Sequence, residues 1–172
     1  MVITTPFSFP TRKRDCAYLI FFATHIPIIF LIDTVPLQPS YLVNNLSLNL
    51  RDFYITTYRD KFFSEPPTWF TAFIWMELLY HVPLSLWAVF GLLRDHPLVP
   101  VHLLIFGVQA FVTSLTCLVE VWNWPDRSVA EKQQITSLYG PYVALGALMA
   151  LDMVFRLQTQ LLPKSKAKPK RE

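Results

Sequence analysis

Two acids stand in stretches of this sequence that are otherwise apolar. Asp33 closes the run "THIPIIFLID" and Glu77 interrupts "WFTAFIWMELLYHVP". A charge at the centre of a bilayer costs upward of about 2.5 kcal/mol on insertion scales, so an acid there is kept only where it is neutral, paired or turned towards a wet pocket. Two carboxyls in one water-poor space can share a proton. This predicts Glu77 as a protonated acid donating a hydrogen bond to an ionised Asp33. Other polar side chains fall near them: His25 in the run of Asp33, His81 one helical turn from Glu77 on the same face, then Thr113, Tyr139 and Tyr142. Such a set could hold the ammonium or hydroxyl end of an amphiphile, or act as acid and base on carbon. Each residue also has a structural role open to it. Glu77 could hold helices together, Asp33 could end a helix at the interface, His25 and His81 could hydrogen-bond in a core, and Thr113 and Thr116 could bond back to their own helix.

The elements that must position these groups are membrane spans. Of the 172 residues 53% are apolar and only 16% charged, whereas a soluble domain carries about a quarter charged residues. The apolar residues fall into four blocks, 16–32, 69–93, 98–119 and 138–157. Each block is long enough for an apolar layer of about 30 Å at about 1.5 Å per residue. The fold class is therefore all-α, a polytopic four-helix membrane bundle. The first block exceeds a secretory h-region of about 7 to 15 residues and reads as a retained helix. "RDHP" makes the second and third blocks a tight hairpin, leaving 34–68 and 120–137 as the longer loops on the opposite side.

Four spans bring both termini to one side. That side carries Arg12, Lys13, Arg14, Arg94, Arg156 and the tail residues Lys164, Lys166, Lys168, Lys170 and Arg171, against Arg51, Arg59, Lys61, Arg127 and Lys132 opposite. The excess places the termini in the cytosol. Trp69, Trp122 and Trp124 are expected at the far, lumenal interface, and Asp152 with Arg156 at i and i+4 reads as a solvated or snorkelling pair.

Depth then groups the polar residues. Asp33 lies about 26 Å along the first helix and Glu77 about 12 Å below Trp69, so both belong to the lumenal half, as do Thr113, Tyr139 and Tyr142. The cytosolic half is apolar except at its rim. Pro27 and Pro83 free the carbonyls of Ala23 and Leu79, breaks that are tolerated where neighbours or a cavity satisfy the backbone. A cavity in the lumenal half is expected.

Other function classes find no support. The positive charge is concentrated in the tail, which argues against nucleic-acid binding, and Cys16 and Cys117 have no CxxC partner and read as buried thiols, so neither metal nor cofactor is expected. The tail "KSKAKPKRE" suits anionic headgroups. Its Lys168 and Lys170 also stand at the fifth and third positions from the end, resembling the dilysine retrieval signal read by coat machinery.

"THIPIIFLID", "YRDKFFSEPPTWF", "WMEL" and "LYGPY", in this order, closely resemble the sigma-two receptor (transmembrane protein ninety-seven) family of EXPERA membrane proteins, over roughly residues 14 to 160. The resemblance implies a domain at 15–160, between a segment 1–14 and a basic tail 161–172. It also implies a four-helix fold of the endoplasmic reticulum, commonly a homodimer, that binds sterols and cationic amphiphiles without catalysis and influences sterol handling. Within it Asp33 matches the acid that pairs with a ligand ammonium and Glu77 the protonated acid beside it. Asp60 matches a lumenal-loop acid that supports the site, and Thr113, Tyr139 and Tyr142 match pocket residues. His81 stands where the family's receptor has glutamine, so drug selectivity does not transfer. The same family contains a sterol double-bond isomerase, in which an acid and a base in an apolar slot shift a ring double bond. That enzyme has a fifth helix and a histidine ahead of its glutamate, which makes isomerase the alternative. Some fungal relatives are associated with delivery of mitochondrial precursors by way of the endoplasmic reticulum surface, a further alternative.

Overall fold

The computed structural model describes residues 12–162 and contains no strand among them. The first span is α1 (Lys13–Ile28), which passes into a π-helical turn at Ile29–Asp33. A short 3-10 turn, Val35–Leu37, leads to α2 (Asn45–Tyr58) and α3 (Lys61–Ser64). The second span is α4 (Thr68–Met76), a π-helical turn at Glu77–His81, and α5 (Val82–Leu93). The third is α6 (Val99–Asn123) and the fourth α7 (Val129–Leu161). Among the described residues four helices are long and apolar enough to cross a membrane.

The spans match the apolar blocks but extend beyond them, because polar residues cap and lengthen the helices. Ser128 and Glu131 form a reciprocal capping box that starts α7 well before the apolar run. Segment 120–137 is therefore mostly helix, with only a short connection between α6 and α7. Segment 34–68 is helical as well, where the sequence suggests a loop. Asn44 caps α2 by accepting from the Ser47 N–H at 2.9 Å, and Asp60 caps α3 by accepting from the Phe62 N–H at 2.9 Å.

At the end where the chain enters and leaves the bundle, Arg156 bridges Asp15 at 2.6 Å and Asp152 at 2.9 Å. Arg14 reaches Asp152 at 2.6 Å, Arg12 reaches Asp15 at 2.6 Å and Asp95 at 3.0 Å, and the Tyr18 hydroxyl donates to Asp152 at 3.0 Å. Asp152 and Arg156 form the expected i, i+4 pair in a structural role, but Asp152 is buried rather than solvated. Asp15 and Asp152 are buried, and the network ties the first span to the fourth and to the hairpin between α5 and α6. Trp124 also departs from expectation: it is 4% exposed and packs on Phe62 with ring centroids 4.9 Å apart, in the core rather than at the interface.

Two apolar cores result. One, around Phe22, Leu92, Leu103, Phe106, Met149 and Met153, fills the end nearest the ion pairs. The other, around Phe62, Phe70, Val121, Trp124 and Ile135, seals the end beneath α2 and α3. Between α6 and α7 the backbones approach closely: a Cβ on Gly146 would stand 2.7 Å from Phe111 N and 2.8 Å from Gly107 O, while one on Gly140 would meet nothing within 4 Å.

This contrast gives a test. Gly146→Val forces two spans apart and destabilises the protein by about 1–3 kcal/mol, the usual cost of overpacking. Gly140→Ala, in open space, is neutral or stabilising by up to about 1 kcal/mol through helix propensity. Thermal unfolding in detergent, measured on both variants, checks the pair.

Candidate functional site

Between the two cores lies a cavity of about 300 Å³. All the candidate site residues except Asp60 line it: His25 and Asp33 from the first span, Glu77 and His81 from the second, Thr113 from α6, and Tyr139 and Tyr142 from α7. Most of the remaining wall is apolar, including Ile28, Phe63, Phe70, Phe106 and Ala110. Cys117 also lines it, a buried free thiol as expected, whereas Cys16 is only half-buried.

Both acids sit on π-helical turns, Asp33 ending one and Glu77 opening the other. A π turn widens the helix by one residue and leaves backbone groups less regularly paired, a feature common at functional sites. A proline stands beside each turn, Pro27 just before the first and Pro83 just after the second. Pro83 cannot donate to the Leu79 carbonyl inside the second turn, which lets the helix relax there.

Glu77 and Asp33, expected as a proton-sharing pair, come from separate spans to the same cavity. The two carboxyls border one cavity, but Glu77 Oε2 is buried and without a hydrogen-bond partner among the described residues. The Nε2 atoms of His25 and His81 are likewise buried and unpartnered. The Tyr142 hydroxyl lies 3.4 Å from His25 Nδ1, and His25 stacks on Phe21 at 4.9 Å. Buried polar atoms are nearly always hydrogen-bonded, and these three belong to residues that line the cavity. The Thr113 hydroxyl donates to the Gln109 carbonyl at 2.9 Å and that of Thr116 to the Val112 carbonyl at 2.8 Å, the back-bonding anticipated for both.

Asp60 stands behind the wall. Fully buried, it accepts from the hydroxyls of Tyr54 at 2.8 Å and Tyr139 at 3.0 Å as well as from the Phe62 N–H. Burial pushes its carboxyl above the usual range, and those three donors pull it part of the way back. Burial, then the Asp60 charge, pushes the Tyr54 phenol up in turn, so it stays a donor. Asp60 therefore fixes Tyr139 and the loop helices rather than touching the cavity. Sequence reasoning missed Tyr54 and Arg51, both on α2. The Asn44 cap ahead of a run with helical spacing was the signal that could have found that helix.

No cluster of metal-ligating side chains occurs among the described residues. The retrieval-signal candidates Lys168 and Lys170 lie outside the described residues.

Fold and site together define a multi-pass helical membrane protein with an acid-lined cavity inside its bundle. Residues 46–153 match the family model described as EXPERA (EXPanded EBP superfamily). The chain is 33% identical to "Efficient mitochondria targeting-associated protein 19" of Schizosaccharomyces pombe over 88% of its own length and 81% of that protein. It is 25% identical to human "Sigma intracellular receptor 2" over 84% of its length and 90% of the receptor. It is 26% identical to the Saccharomyces cerevisiae protein of the first name over 76% and 91%. The chain belongs to the EXPERA family.

Removing the Asp60 carboxylate strands two partly buried phenols. Asp60→Ala is expected to cost about 2–5 kcal/mol of stability, the range for leaving buried partners of a charged group unsatisfied. Asp60→Asn keeps one acceptor oxygen and loses less. Denaturation of the two variants in detergent orders them.

Proposed function

We propose that this chain is a non-enzymatic binder of sterols or cationic amphiphiles in the membrane of the endoplasmic reticulum, with both termini in the cytosol, and that it influences intracellular sterol handling. The observation that carries this reading is the convergence of Asp33, Glu77, His25 and His81 on an otherwise apolar cavity, with buried polar atoms on three of them unpartnered. Apolar pockets with a few converging polar groups are the usual form of small-molecule sites, at about 300–1,000 Å³. The ligand's apolar body lies against Phe63, Phe70, Phe106 and Ile28, while its polar end meets Asp33 and Glu77. The name of the human relative, a receptor, agrees with a binding role.

A second reading has its own support. Two yeast relatives carry a name that refers to mitochondrial targeting, so the protein would aid delivery of mitochondrial precursors, either through its ligand or through the basic tail.

The binding reading is tested with the purified protein in nanodiscs. Asp33→Asn weakens a tritiated tertiary-amine amphiphile by about tenfold or more, the least expected when a buried charge partner is lost. Unchanged affinity for both that amine and a tritiated sterol removes the site. Sterol profiling of a deletion strain separates binding from catalysis: a shift in level or distribution fits a binder. Build-up of one ring-unsaturation isomer, reversed by wild type and not by Glu77→Gln, establishes an isomerase. Normal sterol distribution together with slowed precursor import, restored by a chain whose pocket is disabled, favours the second reading.

A further inference from the structure

Behind Asp33 is a second, smaller cavity of about 120 Å³, lined in part by Arg51, Pro36 and Leu37. Asp33, Phe63, Phe70 and Ile74 line both cavities. They are a shared wall, and Asp33 is the only ionisable group in it. Arg51 comes from α2, outside the spans, and reaches in from the loop end. Its Nη1 donates to the Ile32 carbonyl at 3.0 Å, one residue before Asp33, and its Nη2 to the Phe63 carbonyl at 3.1 Å. Its Cζ lies 5.0 Å from the centre of the Phe63 ring. These partners fix the guanidinium in place without neutralising it, since two carbonyls and a ring are dipoles and a quadrupole, not anions. The anion that shares its cavity is Asp33. Burial draws the Arg51 guanidinium down from its usual pKa, and the Asp33 charge draws it back up, so the two charges act on one another.

Resting on the binding reading above, we propose that Arg51 is the resident counter-ion of Asp33 and narrows the ligand class of the larger cavity to neutral alcohols of sterol size in preference to ammonium-bearing amphiphiles. A cation entering the cavity meets a carboxylate whose field is already offset from the other side of the wall, and it also meets the guanidinium's repulsion through a medium of low dielectric. A hydroxyl loses little. It donates to Asp33 whether or not the carboxylate has a counter-ion, and it carries no charge to be repelled. Glu77, taken in its neutral form, supplies no second anion to attract a cation. The fork between the Ile32 and Phe63 carbonyls keeps Arg51 on the far side of the wall, where it biases the site without occupying it.

A matched ligand pair tests this in nanodiscs: tritiated cholesterol and its analogue with a 3β-amine in place of the 3β-hydroxyl. Wild type is expected to bind the alcohol tighter by about tenfold, the scale of one like-charge interaction at protein dielectric. Arg51→Gln removes the charge and reverses the order, while Arg51→Lys keeps the charge, loses the fork and preserves the order. Wild-type preference for the amine overturns the inference without any variant, which covers the case of a Gln variant that does not fold. Equal behaviour of the folded Gln and Lys variants overturns it too, assigning Arg51 to bracing alone. In both cases the binding site survives, whereas a wild type that binds neither probe removes the site and this inference together.

Discussion

The cost of keeping polar side chains away from water governs this molecule. In a soluble protein a stray carboxyl can turn outwards, but within an apolar layer it must find partners inside the bundle or face a space that supplies them. The structure uses both solutions in different places. At the end near the chain's entry, acids are fully discharged: Asp15 and Asp152 are each met by more than one arginine contact. At the loop end Asp60 is saturated by two phenols and a backbone N–H. Between these ends Glu77, His25 and His81 each carry a buried polar atom without a hydrogen-bond partner among the described residues.

That contrast separates scaffold from site. Saturated networks of this kind fix geometry, and breaking one partner is costly because the others are left exposed to low dielectric. The ion pairs join the first span to the fourth and to the hairpin between the second and third, so all four spans are held at one end. Asp60 does the same at the other, linking α2, α3 and α7 through Tyr54, Phe62 and Tyr139. The cavity lies between two closed ends and two apolar cores, which is why it can remain open.

Local backbone geometry completes the arrangement. The π turns at Ile29–Asp33 and Glu77–His81 place the two acids beside the cavity from separate spans. Each turn is next to a proline, so the same residues that interrupt regular helix also decide where a polar side chain can enter the bundle. The close approach of α6 and α7 at Gly107 and Gly146 works in the opposite sense, drawing two spans together where no cavity is wanted.

Much of this was legible in the residues. The lengths of the apolar blocks set the four spans because crossing an apolar layer demands an unbroken run, and rise per residue set the depth at which Asp33, Glu77, His81, Thr113, Tyr139 and Tyr142 lie. The prolines announced breaks, and the order of short motifs pointed to the EXPERA family. What sequence spacing did not determine was helix rotation and the packing of segments outside the spans, since both depend on contacts between residues far apart in the chain. Tertiary structure alone decided that Glu77 and Asp33 border one cavity, that Asp152 is buried among arginines, that Trp124 turns into the core, and that α2 folds over the bundle to bring Arg51 behind Asp33. Apolar periodicity fixes how deep a side chain lies; only long-range packing fixes what it faces.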